Sequence, residues 1–475
     1  MARLSRPATR PWHSNSRNTD TPVSKRTTQS TPERKSTMST MTNDSTCSFN
    51  ALFKANTPEG LSTLRTEALS AFDTMQWPSM RDEAWRYTDT RPIAALDYTG
   101  ADATTEIELE AIRPFLLDEG MPRLVFADGV FQPGCSTAGK MSGVRIERLA
   151  DVLASEPNRL DGKLGAHSDW KDDPAAAIST ALFTDGVLIE IEEGCSMTEP
   201  LHIVFHNTGK STPTAVQPRV LVLAGNRSNG TVIESHVGTG SHEILSTPVT
   251  EIIAGDHVHL DHYRMVREGS GTWHLGDFAL HQGAESEVSS CVLAFDGPVI
   301  RTRMRATLGG DDGNAILHGL ALGHDKRHVE NLLRVNHMVP NCRSREAFKH
   351  VLEDNATAAF TGRIYVAEGA QKTDAVQTNR NLLLSPTARS TARPQLEIYA
   401  DDVKCTHGAT TGELDPDAMF YLQARGVPAE AARSMLVQAF AGEILDDVKP
   451  PALRAQAIEM LRRRLPAAEH LAMIE

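Results

Sequence analysis

From about residue 120 to residue 400 the apolar positions fall in short runs, either continuous or alternating with polar residues, and each run is closed by Gly, Asp or Asn. Leu124-Val125-Phe126, Val187 to Ile191, Ile203-Val204-Phe205, Val220 to Leu223, Val232-Ile233, Ile252-Ile253, Val258 to Tyr263, Ile316 to Leu322 and Ile364-Tyr365-Val366 are such runs. This pattern predicts many short strands with a turn every ten or so residues. A sandwich, a barrel or a β-helix would each produce it, and no repeat is regular enough to choose among them.

The two ends carry a different period. Leu61, Leu64, Leu69 and Phe72 recur at near-helical spacing, with Pro78 and Pro92 as punctuation. The Trp85-Arg86-Tyr87 cluster reads as an amphipathic packing corner, because two aromatics without a basic groove do not make a nucleic-acid platform. After Gly412 the chain turns helical again, with Asp415 as N-cap, Pro416 at the first helical position and Gly426 as a stop. A second helix starts near Pro428 and runs to about Val448, carrying Leu436, Phe440 and Ile444 as an i, i+4, i+8 stripe. Pro450 and Pro451 end it, and a basic helix with Arg462-Arg463-Arg464 follows.

Composition narrows the function classes. Hydrophobic residues make up 40% and charged ones 23%, and no apolar stretch is long enough to span a bilayer, so no membrane role is expected. The formal charge of −13 argues against nucleic acid as a partner, since phosphate binding needs clustered Lys and Arg. Residues 1–40 hold eight Lys/Arg and two Asp/Glu, a net +6 that leaves −19 for the rest. The first 45 residues lack an apolar run and predict a disordered tail, although their Arg- and Ser-rich, acid-poor composition also resembles a transit peptide. Met38 and Met41 offer later starts. The expected compartment is the cytoplasm, or an organelle's stroma or matrix if residues 1–45 act as a transit peptide. Cysteines at 47, 135, 195, 291, 342 and 405 show no CxxC and no short spacing, which predicts a reducing compartment and neither a zinc knuckle nor a disulfide framework.

The most informative stretch is Tyr399-Ala400-Asp401-Asp402-Val403-Lys404-Cys405-Thr406-His407-Gly408-Ala409. In an extended strand, side chains two apart share a face, which sets Cys405 and His407 about 7 Å apart at the Cα and pointing the same way. A thiol and an imidazole so placed suit iron or zinc. A half-buried edge strand is the competing reading.

The surrounding words decide between them. Gln377-Thr378-Asn379-Arg380-Asn381-Leu382-Leu383-Leu384-Ser385, then Arg393-Pro394-Gln395-Leu396-Glu397-Ile398 running into Tyr399, then Phe420-Tyr421-Leu422-Gln423-Ala424-Arg425-Gly426, resemble the signature of the SufB/SufD family of iron–sulfur cluster assembly proteins. The resemblance covers about residues 50 to 450 and is densest from 340 to 450, with Glu83-Ala84-Trp85-Arg86-Tyr87-Thr88 and Thr184-Asp185-Gly186-Val187 supporting it upstream. The Lys404-Cys405-Thr406-His407-Gly408-Ala409 run resembles the D form, with Thr406 where a serine is usual.

The resemblance implies a mainly β fold, a right-handed parallel β-helix core flanked by helical regions. Its divisions would be a tail over 1–45, an N-terminal helical region over 46–118, the β-helix over 119–412 and a C-terminal helical domain over 413–475. It implies a non-catalytic scaffold that pairs with a SufB-like subunit through the β-helix, or with a second copy of itself in isolation. A SufC-like ABC ATPase would dock on the C-terminal helices, at Leu436, Phe440 and Ile444. A transient Fe–S cluster would form at the subunit interface with Cys405 and His407 contributing, and no cofactor is expected to stay tightly bound to the isolated chain.

The residues themselves also allow other chemistry. Thirteen of the eighteen histidines fall between 200 and 340, and Asp256-His257-Val258-His259-Leu260-Asp261-His262 is the densest group, which gives a metal-dependent β-fold enzyme using His257 and His259 as the alternative function. A cupin-type site would need a glycine six residues before the first histidine and a glutamate four or five after the second, whereas Gly255 lies two before His257 and Glu268 nine after His259. Histidines on the outer face of solenoid strands are the expected reading. Nucleophilic use of Cys405 would need a base within about 3 Å and an oxyanion hole, which parallel neighbours on a strand rarely supply. No GxSxG elbow and no GxxxxGK[ST] loop is present, and Gly309-Gly310-Asp311-Asp312-Gly313 lacks the lysine, so no ATPase activity is expected.

Overall fold

The computed structural model describes residues 45–465 apart from 57–59, 101, 103, 138 and 210–212; the expected tail over 1–45 lies outside them but for its last residue. Every short apolar run named above lies within, or within one residue of, an observed strand. The strands form two sheets of twelve and ten, and from strand His259–Arg267 onward each strand pairs with the next but one in sequence rather than with its neighbour. Strands Val299–Leu308, His328–His337, Thr357–Val366 and Arg389–Ile398 extend one sheet, and Asn314–Gly323, Arg343–Leu352, Asp374–Leu383 and Lys404–Gly412 extend the other. The chain thus winds as a parallel β-solenoid, the fold that the resemblance implied. Antiparallel pairing occurs only near its beginning, at Arg123–Ala127 with Val130–Phe131 and at Val144–Arg148 with Val187–Ile191.

Alternation explains the interior. Val222, Ile252, Phe278, Met304, Leu333 and Phe360 from one sheet meet Ile203, Val232, Leu260, Val288, Leu317 and Phe348 from the other in a single buried column. One corner of the coil repeats a left-handed residue, at Arg227, His257, Glu285, Asp312, Asn341 and Lys372. The N–H groups of Arg227, His257, Glu285 and Asn341 each donate to a carbonyl of the next coil at 2.7–2.8 Å, which offsets the cost of a non-glycine residue in that region.

Both outer faces are partly covered. The helices Ser62–Met75 and Pro174–Leu182 bury Phe72, Ile178 and Leu182 with Trp77, Trp85 and Leu275 against the first sheet. Trp85 is the packing corner expected of it, with the Arg301 guanidinium 3.7 Å from its ring centre. A buried ion pair, Arg219 to Glu251 at 2.5 Å, fixes this cover from beneath, because Glu251 also accepts from the N–H groups of Gly165, His167 and Ser168. On the second sheet the helices Ala429–Leu445 and Pro451–Arg462 bury Ile233, Tyr263, Cys291, Leu293, Leu320 and Val351.

Candidate functional site

The solenoid ends on strand Lys404–Gly412, which pairs on one side with Asp374–Leu383 and has no strand beyond it among the described residues. The register aligns Cys405 with Ala375, His407 with Gln377 and Thr411 with Asn381. Ala375, Gln377 and Asn381 are buried in the solenoid interior, so Cys405 and His407 occupy the inward face of its last coil. Among the described residues no further coil covers that face: Cys405 is half-buried and His407 exposed. The sequence placed both side chains on one face of one strand, and the structure does the same. What the sequence could not show is that this face opens at the end of the solenoid's filled interior.

Cys405 packs on Ala375, Ile364, Val366 and Ala400. Burial pushes its thiol pKa up, and Asp374 adds to the rise against a backbone hydrogen bond at Ala375. A nucleophilic cysteine needs the opposite shift, so the thiol is a poor nucleophile as it stands. A metal ion would displace its proton on binding. Beneath the pair lies a polar column: Gln377 donates to Glu346, Ser344 stands 3.4 Å from the same carboxyl, and His337 bonds Ser344 at 3.0 Å.

Of the stripe Leu436, Phe440, Ile444, the last two pack on the chain's own solenoid. Ile444 is 2% exposed among Val437, Leu445 and Val448, and Leu436 and Phe440 are half-buried. Lys349 holds Phe440 in place, donating to its carbonyl at 2.7 Å with the ammonium 4.6 Å from the ring centre. The exposed apolar surface of this region is on the preceding helix, Pro416–Ala424, which buries no residue and presents Phe420 at 72% and Tyr421 at 55%. Its N-cap is the expected one, with the Asp415 side chain accepting from the Asp417 N–H at 2.9 Å.

His257 and His259 do not form a site. His257 sits in the left-handed corner rather than on a strand, 3.5 Å from Glu285, and both side chains are exposed. Among the described residues neither belongs to a group of three or more metal-ligating side chains. The expectation that the histidines lie on the outer face holds for His202 and His206, which alternate with the inward Leu201, Ile203 and Phe205 and are buried under the chain's own cover, and fails for His236, His262, His274 and His337, which are buried in the interior. Several of them hydrogen-bond to Ser or Glu on neighbouring strands, a partnership that strand alternation in the sequence gives no sign of. A cleft of about 280 Å³ lined by Arg303, Arg305, Arg334, Arg363 and Arg393 spends most of its charge internally, on Asp169, Glu397 and Glu83. Among the described residues Cys135, Cys195, Cys291, Cys342 and Cys405 are free thiols.

Comparison with known proteins bears on this terminal coil. Residues 205–440 match the family described as "SUF system FeS cluster assembly, SufBD core domain", and residues 47–203 match "SufBD protein N-terminal region". An iron–sulfur cluster assembly SufBD family protein of Synechocystis is 30% identical over 82% of this chain and 88% of its own length. The iron–sulfur cluster assembly protein SufD of Escherichia coli is 28% identical over 82% and 89%. A chloroplastic protein of Arabidopsis thaliana, ABCI7, is 28% identical over 84% of each chain.

Proposed function

The chain belongs to the SufBD family of iron–sulfur cluster assembly proteins, in its SufD-like form, and on that premise we propose that it is a non-catalytic scaffold subunit of a SufBCD-type complex. The observation that carries this reading is the open last coil. Among the described residues strand Lys404–Gly412 has a neighbouring strand on one side only and shows Cys405 and His407 on an uncovered inward face. An unpaired strand edge is a template for a further strand. A SufB-like subunit adding its own terminal strand would close the coil and bring further ligands to the pair. In isolation a second copy of the chain would use the same edge.

The nascent Fe–S cluster is the cargo of this site. Thiolate is a strong ligand for iron and a neutral imidazole a more exchangeable one, which suits a site that must let the cluster go. The SufC-like ATPase subunit docks through helix Pro416–Ala424, whose Phe420 and Tyr421 stand exposed, with the Arg425 guanidinium 4.3 Å from the Tyr421 ring centre. That docking surface takes the place of the stripe at Leu436, Phe440 and Ile444, because Phe440 and Ile444 are used to hold the helices on the solenoid. No helix of the described residues is long and apolar enough to cross a membrane, and the complex is read as cytoplasmic, or as organellar if residues 1–45 direct it there.

Co-expression of the full chain with a SufB-type subunit and a SufC-type ATPase tests the reading. All three should elute together in size-exclusion chromatography. Recovery of this chain alone, with both candidates present and folded, would count against it.

A further inference from the structure

Away from the open coil, the solenoid interior holds His236, Glu268 and His274, which are 1%, 4% and 0% exposed. One ligand atom from each lies within 4.8 Å of the other two. Nδ1 of His274 is 3.3 Å from Glu268 Oε1, close to the separation of about 3.4 Å that two donors at about 2.1 Å from a tetrahedral ion must have. From these residues we propose a metal site for one first-row divalent ion of the Zn²⁺ or Fe²⁺ class, enclosed in the middle of the β-solenoid and separate from the Cys405/His407 pair.

The groups around the three residues are arranged as supports. Glu234 Oε2 bonds Nε2 of His236 at 3.0 Å, which fixes the ring and leaves Nδ1 without a partner. Asn207 donates to Glu268 Oε2 at 2.9 Å, leaving Oε1 on the side of His274. Carboxylate-to-imidazole contacts of this kind set the tautomer and orientation of metal-bound histidines. Glu234 is itself anchored, accepting from Thr250 at 2.6 Å and bonding His262 at 2.8 Å. Arg264 enters the same interior but is paired with Glu234 at 3.4 Å, so the Glu268 carboxylate remains for an incoming ion.

A further observation favours an ion over a self-contained polar cluster: Nδ1 of His236 is buried without a hydrogen-bond partner, a state that a buried polar atom rarely keeps. Two imidazoles and a carboxylate suit zinc or ferrous iron better than calcium or magnesium, which prefer all-oxygen shells. The ion would be built in during folding, since the site has no exposed residue. This departs from the expectation that the isolated chain keeps no tightly bound group.

The test uses the full chain expressed in medium supplemented with zinc, and separately with cobalt, then purified through a chelator wash. Metal per chain is read by mass spectrometry, and Co²⁺ by the visible absorption of a four-coordinate site. About one ion per chain is expected in the parent and in the Cys405→Ala/His407→Ala double variant. His274→Gln and Glu268→Gln should lose it, and Glu234→Gln should weaken it by roughly 10–100-fold. A parent that holds far less than one ion, an ion that leaves with Cys405 and His407, or full retention by folded His274→Gln and Glu268→Gln would each overturn the proposal. Because the parent alone can refute it, a variant that fails to fold does not rescue it.

Discussion

His407 stands in register with Gln377 on the inward face of the last coil, and Gln377 donates to Glu346 on the strand below. An exposed imidazole is thereby stacked over a fully buried acid whose pKa burial pushes up to about 7, in spite of its bonds to Gln377 and Ser344. Such a group holds more protons folded than unfolded between its ordinary value of 4.5 and about 7, so its contribution to stability falls as pH rises through that window. Glu346→Gln keeps an acceptor for Gln377 and removes the ionisation. The variant should gain on the order of 2–4 kcal/mol relative to the parent between about pH 5 and about pH 8, measured as the difference in urea unfolding free energy. An identical pH dependence in the two proteins would refute the assignment.

The corner residues give a second expectation. His257 has φ +56°, a left-handed conformation that glycine adopts at little cost. His257→Gly should change stability by less than about 1 kcal/mol and should leave cluster formation unchanged. Thermal unfolding of the variant checks the first point. A large loss of cluster formation would restore a chemical role to this histidine.

How far the fold could be read in advance depends on which face a residue shows. Strand positions such as Val187–Ile191 and the cap Asp415 followed by Pro416 were legible because they rest on local alternation and local capping. The parallel stacking was not, since pairing joins residues 28–31 apart, as between His262 and Ser290 or Glu346 and Gln377, and no periodicity of apolar residues records it. The same limit hid the interior polar column: Glu234, His236 and His274 look like outward positions in a strand pattern until the second sheet closes over them. Leu436, Phe440 and Ile444 were recognisable as an apolar face, but their spacing does not say whether another chain or this chain's own sheet covers them.

That distinction leads to a third prediction. Phe420→Ala with Tyr421→Ala should leave the unfolding midpoint nearly unchanged and abolish co-elution with the ATPase subunit, while the SufB-type subunit is retained. Ile444→Ala should instead destabilise the chain by about 2–5 kcal/mol, as a truncation in a packed core does. Removing everything after Gly412 is a poor substitute, because it would bare Tyr263, Leu293, Leu320 and Val351 on the outer sheet face. Loss of the ATPase subunit with Ile444→Ala at full stability, and its retention with the Phe420/Tyr421 pair replaced, would return the docking role to the stripe.

A fourth expectation concerns the cover on the first sheet. Glu251 bonds Arg219 and three backbone N–H groups while fully buried, so Glu251→Ala leaves a buried guanidinium unpaired and should cost about 3–5 kcal/mol. Protection of the amides of Gly165, His167 and Ser168 in hydrogen exchange should fall with it. Unchanged protection would mean that the cover is held by Phe72, Trp77 and Ile178 alone.

The most direct test of the account is cluster formation on the assembled complex, read as iron and sulfide per complex after purification. The uncovered inward face of the last coil predicts that His407→Ala lowers cluster content while the three subunits still co-elute, that Cys405→Ala is milder where a partner thiol substitutes, and that the double variant is lowest. Cluster content equal to the parent in both single variants and in the double variant would make Cys405 and His407 structural residues of an edge strand and contradict the central claim.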